Sequence, residues 1–242
     1  MSGSAGPTRG QLAAEIRSVL SDLPIFVTSQ LYRRWHLRWG ATSAEVAASL
    51  PGDGLMSRAQ YKSTRAISID AAPEAVWPWL VQVGCLRAGW YSNDLLDNLA
   101  HPSATTIMPE LQHLEIGQWV PMSPKPTDRS ALKVHSFEIN RWLLWTTPDS
   151  TWAWQLTPAE HNGTRLVARI NARYDWRHPM SAVLGVLLME FGDFAMLRRM
   201  LRGIKARAES LDQNPSQTSG GPRQPRPASL ESGTGLTSHV QP

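Results

Sequence analysis

Tyr91, Asp94 and Asp97 lie close together in the segment YSNDLLD. On a helix, Asp94 and Asp97 at i and i+3 share a side. A carboxylate held there and partly buried has a raised pKa, and could take a proton from an acidic C–H as a general base. Tyr91 and the loop residue His113 are the other candidates for proton transfer. The same spacing is common on solvated helix surfaces. Tyr91, Asp94 and His113 therefore stand as alternatives, and no catalytic constellation is assigned.

His101, His113 and His135 are scattered, with Glu110 between the first two. A metal site needs three or four convergent ligands, and this spacing matches no zinc pattern, so neither a metal nor a cofactor is expected. Cys85, the single cysteine, can form no intrachain disulfide. It follows the helix-stopping Gly84 and lacks a His partner, so it reads as a small buried residue rather than a nucleophile. No G-x-x-x-x-G-K-[ST], G-x-S-x-G or H-E-x-x-H occurs. P-loop, serine-hydrolase and zincin chemistry are therefore without support.

A length of 242 residues allows one or two domains. Eleven Trp against four Phe and four Tyr suggest a roomy aromatic interior or an amphipathic surface. The net charge of +4 is dispersed, with Arg33, Arg34 and Arg38 near the start and Arg198, Arg199, Arg202, Lys205 and Arg207 near the end. No run of five like charges occurs, so no nucleic-acid partner is expected. The longest apolar run, Met180 to Met189, is too short for a bilayer span of about 20 residues. With one cysteine and no leader pattern, a cytoplasmic location is expected.

These residues need elements to position them. Leu12, Ile16, Val19, Leu20 and Leu23 mark one helical stripe, and Ile25, Thr28, Leu31, Trp35 and Trp39 mark a second. Residues 25–39, with their arginines and tryptophans, could lie on an anionic membrane. Thr42 to Glu45 reads as a capping box. TRAISID, Thr64 to Asp70, alternates as a strand, and Pro73-Glu74 then opens a helix ending at Gly84. A short helix over Tyr91–Leu99 and a loop over 100–113 follow. Five strands are predicted: Trp119–Met122, Leu132–Ile139, Trp142–Thr147, Trp152–Thr157 and Arg165–Tyr174. In the last, Leu166, Ala168, Ile170 and Ala172 share one face, and Arg165, Arg169 and Arg173 share the other, which reads as a wet side. From Pro179, Met180, Val183, Leu184, Leu187, Phe191, Phe194, Leu197, Leu201 and Ile204 recur at helical spacing. The division is a helical extension over 1–60, a domain over 61–211 and a disordered tail over 212–242.

The segments RAISIDAAPEAVWPWLVQVG, GWYSNDLLDNLA and EIGQWVPM, in this order of elements, resemble the START-like helix-grip superfamily. That superfamily includes polyketide cyclase/dehydrase (SRPBCC-type) proteins, lipid-transfer START domains and birch-pollen-type allergens. WHLRWGATSAEVAASLPGD is similar to the extension of an actinobacterial branch. The resemblance covers about residues 35–208. It implies an α+β helix-grip fold, a curved antiparallel sheet wrapped around a long C-terminal helix with a cavity between them. The ligand-binding candidates are then Trp77, Leu80, Tyr91, Trp119, Trp145, Trp152 and Trp154, with Leu187, Phe191 and Phe194 opposite.

The expected partner is a hydrophobic small molecule, lipid or polyketide-like, bound by a carrier or sensor. One alternative is a cofactor-independent cyclase or dehydratase. Another is a peripheral membrane or protein-interaction module. A fold of this kind does not choose among them.

Overall fold

Strand β1, Tyr61–Ile69, starts three residues before the predicted one and alternates as expected. Tyr61, Ser63, Arg65 and Ile69 point to one face, and Lys62 and Ser68 to the other. The structure, a computed structural model, describes residues 32–128 and 130–212, with Gly10, Ala13, Ala14, Ile16, Arg17, Leu20 and Ser21. The predicted tail and most of the stretch 1–31 lie outside the described residues.

Before β1 come helix α1, Arg33–His36, helix α2, Ser43–Ala47, and a 3-10 turn at Asp53–Met56. After it come α3, Pro73–Val81, and α4, Asp94–Asp97, which is shorter than the Tyr91–Leu99 expected. Strands β2, Trp119–Pro121, β3, Ala131–Glu138, β4, Trp142–Thr147, β5, Ser150–Ala159, and β6, Gly163–Ala172, complete one sheet. All its pairings are antiparallel, in the order β1-β6-β5-β4-β3-β2. Helix α5, Pro179–Leu187, a π-helical turn, Leu188–Gly192, and helix α6, Asp193–Asp212, close the chain. The curved sheet packs its concave face on α3 and α6. The fold is the α+β helix grip.

Local chemistry explains the elements. Thr42 Oγ1 accepts from the Glu45 amide at 3.2 Å, and Glu45 accepts from the Thr42 amide at 2.7 Å, so the capping box forms. Pro73 sits in the first turn of α3, where its missing N–H costs nothing. Gly203 is in the middle of α6 because that helix presses on the Tyr91 backbone. A Cβ at this position would lie 2.3 Å from the Tyr91 carbonyl oxygen.

The outer face of the sheet is covered over Arg165 and Arg169, which corrects the expectation for those two residues of β6, while Arg173 is half exposed as expected. Residues 36–56 lie across it as an arm, and Leu50 joins Ala66, Leu144, Ala153 and Val167 in a second apolar cluster. Arg169 is fully buried beneath the arm. Its Nε donates to Thr64, Nη1 to the Ala48 carbonyl and Asp53, and Nη2 to the Glu45 and Val46 carbonyls. A guanidinium has five N–H donors, and all five are used. Arg165 is held likewise by Glu45 and the Gly40 carbonyl. Along the outer edge of β1, the Thr64 and Ala66 amides donate to the carbonyls of Leu37 and Trp39 at 2.8 and 3.1 Å.

The final apolar stripe is not one continuous buried face, another correction. Phe194, Leu197, Leu201 and Ile204 are buried, whereas Met180, Val183, Leu184 and Leu187 are exposed. The π turn between them adds a residue to one turn, so the stripe changes side there.

Candidate functional site

The grip leaves a cavity of about 180 Å³ between the helix and the concave sheet. The π turn and α6 supply Met189, Gly192, Asp193, Met196, Leu197 and Met200. Strand β5 supplies Trp152, the end of β2 supplies Met122, and the segment before and within α4 supplies Trp90, Ser92 and Asp97. Four of the chain's eight methionines line this one space. Unbranched thioethers are adaptable, so the walls can reshape around an occupant.

Behind the lining is a tryptophan stack. Trp145 and Trp152 are opposite each other in the β4–β5 register. Trp90 lies 6.2 Å from Trp145, edge-on, and 6.3 Å from Trp152, and Trp145 lies 5.3 Å from Trp154. These separations and tilted planes are those preferred by aromatic pairs.

The polar part of the wall is built around Asp193, the first residue of α6. Its Oδ2 accepts from the Tyr61 hydroxyl at 2.7 Å and from Arg65 Nη1 at 2.5 Å. Arg65 also donates to the His36 carbonyl and to Tyr61. Its guanidinium is wholly enclosed and lies 5.4 Å from the Phe194 ring. Burial by itself lowers the Arg65 pKa, but the adjacent Asp193 charge and Tyr61 outweigh it and raise the value. Burial first, then Asp193, pushes the Tyr61 hydroxyl up, so it remains a donor. Ser92 Oγ is a buried hydroxyl in the same wall with no hydrogen-bond partner among the described residues.

Of the sequence-predicted residues, Trp152 lines the cavity. Trp145 and Trp154 are one layer behind it, in the core. Trp77 and Leu80 are core residues of α3, and Trp77 packs on Phe137 at 6.4 Å. Trp119 lies on the edge strand under the Lys133 ammonium. Leu187 is exposed, the Phe191 side chain lies outside the described residues, and Phe194 packs on Trp35 and His36 on the arm side.

The proton-transfer candidates also have places. Tyr91 is buried against Trp79, with Arg207 4.5 Å above its ring, and burial pushes its hydroxyl up to about 12. Asp94 accepts from the Ser103 amide and hydroxyl, at 2.9 and 2.5 Å, and so pins the loop after α4. His113 has a side chain 82% exposed and pairs with Glu115 at 2.9 Å. None of the three lines the cavity. Asp97, the partner of Asp94 in the i, i+3 pair, does. Burial and the Asp97 charge raise the pKa of Cys85, against a reactive thiolate.

Sequence reasoning missed Trp90, Met122, Met189, Asp193, Met196 and Met200. The signal was present for the last helix: 189, 193, 196 and 200 follow helical spacing.

Around residues 25–39, the described part is a single helical turn packed on the domain. Arg33 pairs with Glu190 through two 2.7 Å bonds, and Trp39 lies under Arg198 and Arg202. Among the described residues no helix is long and apolar enough to cross a membrane, and no cluster of three or more metal-ligating side chains occurs.

No family model matches the chain, and no curated protein does. Among solved structures it is similar to a polyketide-cyclase-like protein from Corynebacterium glutamicum, 14% identical over 63% of this chain and 93% of that one, TM-score 0.40. It is similar to a protein from Mesorhizobium loti at 15% identity over 64% and 98%, TM-score 0.35. A third is CalU16 from Micromonospora echinospora, at 16% over 63% and 86%, TM-score 0.29. At these identities the likeness concerns fold and not activity.

Proposed function

We propose that this protein is a non-catalytic carrier or sensor that encloses a small hydrophobic molecule between α6 and the concave sheet. The observation that carries this reading is the cavity itself. It is apolar over most of its wall, it is faced by two tryptophans and four methionines, and its polar groups are few. That is the composition of small-molecule sites.

Size narrows the class. An apolar cavity of about 150 Å³ accepts benzene. At about 180 Å³ this one suits a molecule of one or two rings. Drug-sized sites run to roughly 300–1,000 Å³, so a long acyl chain enters only if the methionines swing aside. Of the groups nominated for the cyclase or dehydratase alternative, Tyr91, Asp94 and His113 lie away from the cavity, and Asp97 is in its wall.

Native mass spectrometry of protein purified from its own host tests the proposal directly. A retained hydrophobic molecule of one or two rings is the expected result. Protein that carries none, and that shows no heat of binding with ethylbenzene or naphthalene in calorimetry, would overturn it.

A further inference from the structure

Among the described residues the cavity wall carries two carboxylates, Asp97 and Asp193, and no lysine, arginine or histidine. The nearest guanidinium whose contacts bear on it, Arg65, is committed to Asp193, Tyr61 and the His36 carbonyl. Both hydrogen bonds to Asp193 converge on Oδ2. Among the described residues no donor reaches Oδ1, although the Asp193 side chain is only 3% exposed. Asp193 is in the cavity wall, so an occupant that brings a donor to Oδ1 gains a charge-assisted hydrogen bond there.

We infer that the cavity selects a small aromatic molecule bearing a hydrogen-bond donor, an amine first and an alcohol second, and discriminates against free carboxylic acids. This inference rests on the ligand-binding reading given above. The donor meets Asp193 Oδ1. Trp90 and Trp152 flank the space, and an indole face also attracts a cation. Ser92 Oγ can accept a second bond from an ammonium or donate one to a hydroxyl. An acid brings a third carboxylate beside these two, with no cation among the described lining residues to meet it, which is selection by repulsion.

Four ring compounds of similar size test it by calorimetry at pH 7: 2-phenylethylamine, 2-phenylethanol, ethylbenzene and phenylacetate. The amine should bind at least about tenfold more tightly than phenylacetate, in keeping with a charge-assisted hydrogen bond. The alcohol should lie between the amine and the hydrocarbon. Asp193→Asn alone leaves Arg65 without its counter-charge and threatens the fold. The double variant Arg65→Met/Asp193→Leu removes the pair together. It should lose the preference for the amine over ethylbenzene. Ethylbenzene binding with equal or tighter binding of phenylacetate overturns the inference and leaves the cavity reading standing. Retention of the amine preference in the double variant also overturns it. If none of the four binds, the cavity reading itself fails.

Discussion

Arg169 Nη1 and Asp53 Oδ2 meet at 2.6 Å across 116 residues of sequence, beneath an arm that covers the outer face of the sheet. Asp53 is also held by the Leu50 amide and by Asn171. One strand residue thereby fixes the arm at Glu45, Val46, Ala48 and Asp53. Arg169→Met leaves Asp53 and those carbonyls without their donor. Removal of one partner of a buried pair costs about 3–5 kcal/mol, which urea unfolding can measure. Arg141→Met removes an exposed partner of Glu138 and should stay within about 0.5 kcal/mol.

Acid should destabilise the protein in two stages. His36 is held below the ordinary imidazole value, first by burial and then by the Arg65 charge. The unfolded chain therefore takes up this proton first, and stability falls as pH drops below about 6.5. Glu45 is lowered to about 2, chiefly by its hydrogen bonds from Arg165. Its contribution is present above the usual carboxylate pKa and is lost as pH falls from there toward 2. Neither ring nitrogen of His36 has a hydrogen-bond partner among the described residues, so His36→Phe should be tolerated. The first stage should vanish in that variant and the second remain. An unchanged first stage would assign it to another group.

Filling the cavity should separate binding from stability. Met196 lines the space without being fully enclosed. Met196→Phe puts a rigid ring where a flexible thioether was. Affinity for ethylbenzene should fall by about tenfold or more, with a thermal midpoint equal to or above the parent's, because an unfilled apolar cavity is itself destabilising. A large drop in the midpoint would mean that the lining has no room to spare.

Fluorescence should report position. Trp152 lines the cavity and Trp119 lies on the edge strand. Trp152→Phe should remove much of the ligand-dependent quenching, and Trp119→Phe should remove almost none. Equal signals from both variants would place the occupant elsewhere.

The elements of the grip were legible because each carries its own local chemistry. The alternation of TRAISID, the Thr42–Glu45 box and Pro73 at a first turn depend on neighbours a few residues away. The faces of β6 were not. Arginines on alternate positions read as solvated, and nothing near them in sequence shows that Glu45 and Asp53 come to meet them. The cavity was half legible. Tryptophans two apart on β5 do share a face, but which of them meets space and which meets core depends on how deep the helix sits. The π turn carries only a weak local mark, Gly192 at its end.

The two carbonyls of Leu37 and Trp39 that accept from β1 have a consequence for how the protein keeps to itself. β1 is a nine-residue strand at the border of the sheet, and a bare border of that length is a template for a second chain. The arm occupies it. A chain beginning at Gln60 would offer open amides at Thr64 and Ala66 beside the stranded charges of Arg165 and Arg169. Copies of such a chain would pair strand to strand, so its failure would appear as concentration-dependent aggregation before any loss of helix.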